Sequence, residues 1–228
     1  ALGDSSLLAN TTGSSNTAVG RSALNANTTA ANNTAVGTLA LTANTTGDLN
    51  TAVGQGALAV NTTGVSNDAF GALALDANTT GSFNVALGRS ALGANTTASN
   101  NTAVGHSALL VNTTGIQNTA VGALAGDGTD DGADNTAVGY SALSANCGSF
   151  NTAMGARALA AASGTSNTAI GVDALPGSVT GSNNTALGGN AGISVTGGGN
   201  NTFVGKDAGR SGSPGGAITT GSNEIVLG

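Results

Sequence analysis

Few residues in this chain have the chemistry to act on a ligand, and most of them stand in one place. Asp127, Asp130, Asp131 and Asp134 fall within the segment Gly126-Asp127-Gly128-Thr129-Asp130-Asp131-Gly132-Ala133-Asp134. Carboxylate oxygens ligate hard cations, and glycine lets a chain turn tightly around one, so these four Asp offer a calcium site. The spacing differs from an EF-hand loop, and no Glu closes it. The plainer reading is a solvated loop with altered turn chemistry. Cys147 is the single cysteine, which excludes an intrachain disulfide framework. His106 is the single histidine, so there is no base to pair with a nucleophile. Transition-metal ligands do not cluster. The glycines recur at turn spacing and no Gly-Lys-Ser or Gly-Lys-Thr follows them, so they form no phosphate loop. The expectation is a protein that is not an enzyme and has no resident cofactor, calcium being the one cation with a candidate site.

A second group is defined by N-x-[ST]. Asn10, Asn27, Asn44, Asn61, Asn78, Asn95 and Asn112 match it, as do Asn32, Asn100, Asn183 and Asn200. In a glycosylating secretory route such positions are acceptors; otherwise Asn-Thr-Thr-Gly is turn chemistry. Stacked Thr columns also resemble the ranks presented by ice-binding solenoids.

The elements that position these residues follow from composition and repetition. Charged residues make up 7% of the 228 residues, against about 25% in an average domain. There are 38 Gly, no Trp, one Tyr and four Phe, and Ala supplies most of the apolar content. Such a chain cannot fill a thick core. It also lacks the charge and proline of a disordered segment. What remains is a thin structure held by regular backbone pairing. The net charge is −6 and the five basic residues are scattered, so nucleic acid is not an expected partner. No apolar run approaches the roughly 20 residues of a membrane span. The chain begins at Ala1 with no signal peptide, and reads as a mature product or a segment of a longer protein.

The repeat is explicit. Asn opens a unit at 16, 33, 50, 67, 84, 101, 118, 135, 151, 167, 184 and 201, a spacing of 17 except for two of 16 after Asn135 and Asn151. With that Asn as position one, the consensus is NTAVGxxALxANTTGxx. Position four is always large and apolar, position five is always Gly, and position eight is always Ala. Position three is Ala except at Phe203. Position nine is Leu except at Gly126, Gly192 and Gly209.

Two Gly and an Asn-Thr-Thr stretch in every unit leave no run long enough for a helix. The TAVG stretch alternates with period two, which predicts a strand. The position-five Gly suits a corner with positive φ, and Asn-Thr-Thr-Gly suits a second corner. The expected fold is all-β: a parallel β-solenoid or β-roll of 17-residue coils, two short strands per coil, forming a single repeat domain over 1–228. About thirteen coils stacked at about 4.8 Å would make a rod roughly 60 Å long. Irregular coils are expected at 126–134 and after 188. Val and Leu columns should form the core, and the Asn column an amide ladder. The Ala columns should face a second chain, making the protein a homo-oligomer; the alternative is a monomeric flattened solenoid whose Ala stripes pack between its own two sheets. No segment looks like a cap for the open strand edges.

The NTAVG element, preceded by Asn, Ser or Gln, resembles the NSVAIG-type repeats of trimeric autotransporter adhesin heads. The fuller pattern resembles the 17-residue arrays of bacterial and phage tail-fibre-like proteins, which often precede a chaperone domain of the endosialidase type. Asn201-Thr202-Phe203-Val204-Gly205 and Ser222-Asn223-Glu224-Ile225-Val226-Leu227-Gly228 are similar to the endings of such arrays, and the resemblance covers essentially the whole chain. It implies a left-handed β-roll, a homotrimer and a secreted or cell-surface fibre. The expected function is therefore a structural or adhesive fibre segment. Its expected partners are copies of itself, joined laterally or end to end, and a host-surface or matrix receptor. The alternative is a solenoid that binds glycan, calcium or ice.

Overall fold

The computed structural model describes residues 1–177, 179–212 and 216–228. It is all-β, and no helix occurs among these residues. The chain forms two compact units, Ala1–Ile116 and Gln117–Gly228.

The first unit contains β1 (Thr17–Val19), β2 (Thr34–Val36), β3 (Thr51–Val53), β4 (Asp68–Phe70), β5 (Val85–Leu87) and β6 (Thr102–Val104). They pair in chain order, all parallel, with equivalent residues opposite each other: Ala18 faces Ala35, and Ala35 faces Ala52. The second unit contains β7 (Thr119–Val121), β8 (Thr136–Val138), β9 (Thr152–Met154), β10 (Thr168–Ile170), β11 (Thr185–Leu187), β12 (Thr202–Val204) and β13 (Ile225–Leu227). These too pair parallel and in sequence. Each unit is a β-solenoid in which one repeat makes one coil.

A coil carries one three-residue strand, not the expected pair. The reason is backbone conformation. Positions seven and nine are left-handed in successive coils, as at Ser22 (φ 58) and Leu24 (φ 51), and position seventeen is left-handed as well. Two such residues, one apart, cannot lie in an extended strand. Coils nevertheless remain bonded to each other around this irregular side. The Leu24 N–H donates to Ala40 O at 3.0 Å, and that of Ala26 to Thr42 O at 3.0 Å. A left-handed Leu costs roughly 1–2 kcal/mol. Burying its side chain contributes about 1.5–3 kcal/mol, so the position persists.

The core also differs from expectation. Leu24, Leu41, Leu58 and their successors are fully buried, as the sequence predicts. The Ala columns at positions three and eight are buried beside them, not turned toward another chain. The Val column at position four points outward: Val19, Phe70, Leu87, Val121, Met154 and Ile170 are all exposed. The strand alternates as predicted but with the opposite phase. A 17-residue coil is too thin for a branched side chain on the strand side, so the methyl of Ala fills it and Val is displaced to the surface.

Position five closes the corner after each strand. Gly54 has φ +141, and a Cβ there would lie 2.5 Å from Gly71 O of the next coil. Both the torsion and the contact demand glycine. The Asn-Thr-Thr-Gly corner needs no positive φ at Gly47, Gly64 or Gly81, and Ala30 and Ala98 occupy its glycine position, buried there.

Two Asn columns are buried inside the first unit, and both are satisfied. At position twelve, Asn61 Nδ2 donates to Asn44 Oδ1 at 2.9 Å and to Gly64 O at 3.0 Å. Asn78 Nδ2 then donates to Asn61 Oδ1 at 2.9 Å, continuing the expected amide ladder. Position one works differently. Asn33 Oδ1 accepts the backbone N–H of Asn50 at 2.8 Å, and Asn50 Nδ2 donates to Gly64 O at 2.8 Å. In the second unit the position-twelve ladder gives way to Thr129, Cys147, Ala162, Val179 and Val195, all buried.

Candidate functional site

Among the described residues the surface has no pocket, so the candidate site is a face. The outer surface of the strands presents positions two and four. In the first unit these are Thr17, Thr34, Thr51, Asp68, Val85 and Thr102, beside Val19, Val36, Val53, Phe70, Leu87 and Val104. In the second unit Thr119, Thr136, Thr152, Thr168, Thr185 and Thr202 form an unbroken rank beside Val121, Val138, Met154, Ile170, Leu187 and Val204. Parallel in-register pairing sets neighbouring rungs about 4.8 Å apart. Of the five basic and eleven acidic residues of the chain, Asp68 alone falls in either column. The face is therefore apolar and hydroxyl-edged, with Asp68 as its one charge.

The Asn-Thr-Thr-Gly corner uses its hydroxyls otherwise. Thr45 Oγ1 donates to Thr62 O at 3.1 Å and Thr62 Oγ1 to Thr79 O at 3.1 Å, so the first Thr of each pair tightens the stack. The second Thr, as at Thr46 and Thr63, is exposed.

The acidic segment spreads along its coil. Asp131 and Asp134 are exposed, Asp134 in a left-handed corner (φ 57), whereas Asp127 and Asp130 are half-buried. Asp127 Oδ1 is buried with no hydrogen-bond partner. Burial holds its carboxyl above the ordinary value, opposed by a bond to its own backbone. Among the described residues no three of His, Cys, Asp or Glu come together to hold a metal ion.

Cys147 occupies the interior where other coils carry the Asn ladder. Its Sγ lies 3.4 Å from Thr129 Oγ1, and burial raises the thiol above its ordinary value. The shortened coil leaves a defect beside it. Asn118 Nδ2 reaches Gly132 O at 2.7 Å and Asn151 Nδ2 reaches Gly164 O at 3.0 Å, but the intervening Asn135 Nδ2 is buried with no partner. His106 is exposed at position six.

The N-x-[ST] matches divide by position. Asn27, Asn44, Asn61, Asn78, Asn95 and Asn112 are fully buried, and Asn10 is half-buried. Their amide nitrogens point into the ladder, as Asn44 Nδ2 does toward Asn27 Oδ1 (3.0 Å) and Gly47 O (2.9 Å). A glycan cannot be carried on a buried, doubly bonded amide, so in the folded coil the Asn-Thr-Thr motif is structural. Asn32, Asn100, Asn183 and Asn200 stand exposed in left-handed corners.

Outside these features, exposed polar pairs link neighbouring coils. Arg157 forms a two-pronged contact with Asp173, at 2.7 Å from Nε and 2.6 Å from Nη2. The Asn190 amide lowers the Asp207 carboxyl below its ordinary value, with help from Arg210. No helix among the described residues is long and apolar enough to cross a membrane. Comparison with protein-family models, with curated proteins and with solved structures finds no match.

The outward Val face escaped the sequence reading, but a signal for it was present. Position three gains its one Phe, Phe203, between the two Gly at position nine that flank it, Gly192 and Gly209. Exchange of bulk between two positions marks both as interior, which sends position four outward.

Proposed function

We propose that the chain is a structural or adhesive segment of an extracellular fibre, built by stacking 17-residue coils and by association with copies of itself. The observation that carries this reading is the continuity of bonding between coils. Backbone groups link a coil to its neighbour in both units, and in the first unit two buried Asn columns and one Thr column add to them. A structure of this kind gains stability from each added repeat. Its regular part holds the stack. The repeat's likeness to tail-fibre arrays and to trimeric adhesin heads supports a surface location and a trimer.

The reading gives the chain no catalytic role. Immunogold electron microscopy of cells that produce it tests the assignment. Label on surface filaments or shed fibres is the expected result. Label confined to dispersed protein in the cell interior would overturn it.

A further inference from the structure

We propose that the corner at 144–150 is the point where the second unit opens first, presenting a concealed thiol while the strands beside it stay paired. The cause is a displaced hydrogen bond. In a regular coil the position-one amide donates to a carbonyl of its own coil, as Asn50 Nδ2 does to Gly64 O at 2.8 Å. In the shortened coil of Asn135 the equivalent carbonyl is that of Gly148. Asn151 of the next coil takes it. Its Nδ2 donates to Gly148 O at 3.0 Å as well as to Gly164 O of its own coil at 3.0 Å. Asn135 Nδ2 is left without an acceptor, in a residue only 3% exposed. Asn135 Oδ1 accepts the Asn151 N–H at 2.9 Å, which holds the side chain inside.

Other ties of the stack weaken at the same place. In a regular coil Thr45 and Thr46 both donate their backbone N–H to Thr62 O, at 3.0 and 3.3 Å. Here Asp130 N reaches across to a side chain, the exposed Asn146 Oδ1, at 3.3 Å. The amide ladder is replaced by Thr129 and Cys147, and a thiol is a weak hydrogen-bonding group. Among the described residues, the two buried side-chain polar atoms without a partner, Asp127 Oδ1 and Asn135 Nδ2, both stand around this corner. A stranded buried group destabilises the closed coil, and opening lets water satisfy it. The strand need not follow, because Thr136, Ala137 and Val138 keep their partners in the next rung. In a solenoid each coil leans only on its neighbours, so such an opening stays local. The segment that opens carries the one cysteine of the chain, 2% exposed when closed. The availability of Cys147 is therefore set by the state of this corner.

The test is alkylation of the folded 228-residue chain with iodoacetamide over a range of low urea concentrations. Cys147 should react at a rate that barely changes with urea. That rate should exceed, by about tenfold or more, the rate at Val195→Cys in a Cys147→Ala background. Val195 is equally buried and lies in the same interior column. Equal rates at the two positions overturn the proposal, and so does a Cys147 rate that rises with urea as steeply as complete unfolding. If Val195→Cys fails to fold, hydrogen exchange of the wild-type chain decides. The Phe150 N–H, bonded to Ala133 O at 3.0 Å, should be protected about tenfold less than the Asn183 N–H, which occupies the same position and bonds to Thr165 O at 3.1 Å. Equal protection overturns the proposal. A repaired coil checks the cause. Cys147→Thr with one further Thr inserted after it restores Asn-Thr-Thr-Gly and returns the carbonyl to Asn135. Exchange across 144–150 should then slow by about tenfold, and unchanged exchange overturns the assignment to the displaced bond.

Discussion

The ring of Phe203 occupies the space that a side chain at Gly209 would need. A Cβ built on Gly209 would lie 2.6 Å from Phe203 Cε1, and one on Gly192 would lie 3.2 Å from Cδ2. Phe203→Ala therefore opens a cavity and should cost about 3–5 kcal/mol. Gly209→Leu alone should cost about 1–3 kcal/mol by overpacking. The double variant restores the arrangement of the regular coils, so its cost should fall short of the sum by about 1 kcal/mol or more. Urea unfolding of the four proteins measures the coupling.

The position-twelve ladder gives the next prediction. Asn61 touches Asn44, Gly64 and Asn78 from a fully buried site. Asn61→Ala strands ladder groups and should cost about 2 kcal/mol. Asn61→Asp should cost more at neutral pH, because it sets a buried carboxylate against two oxygens. Thermal unfolding compared at neutral and acid pH separates the two, since protonation of the Asp turns it back into a donor.

Phe83 is exposed and left-handed, with φ 59. Bulky residues pay for that conformation, whereas Asn tolerates it. Phe83→Asn should therefore stabilise the protein by about 1 kcal/mol, read as a higher midpoint in urea. The same change at buried Leu58, also left-handed (φ 50), should destabilise it, because there the lost burial outweighs the relieved torsion.

Asp127 supplies a pH dependence. Its folded carboxyl is raised above the ordinary carboxylate value by burial. A raised carboxyl contributes stability below the unfolded value and loses it as pH rises through the folded value. At pH 7 its charge is therefore a cost, and Asp127→Asn should raise Tm. The gain should vanish as pH falls through the folded value to the ordinary carboxylate range, which a series of melting curves will show.

Much of the coil was legible in the sequence. The spacing of Asn16, Asn33 and Asn50 gives the coil length, because identical residues one period apart stack. The invariant position-five glycine gives a corner, and Leu24 and its successors give a core. The phase of the strand was misread because hydropathy ranks Val above Ala, whereas the width of the coil decides which of them fits. The second strand was misread because Leu24 and Ser22 carry no outward sign of a left-handed backbone. Tertiary packing imposes it against their local preference. Gly126 shares position nine with Gly192 and Gly209, yet nothing in the structure explains its loss of a side chain.

The short coils have a consequence for inheritance. Thr136 pairs with Thr152, and Thr152 with Thr168, although each intervening stretch is one residue shorter than the norm. Thr202 pairs with Ile225 across a longer one, the neighbouring Asn201 and Glu224 being 23 residues apart. Between fixed rungs, codons can be lost or gained while the strands keep their register. Copy number and loop length in such a gene can then drift by slippage during replication, each step yielding a chain that still folds. Selection can act on what the loops meet outside while the frame that carries them stays the same.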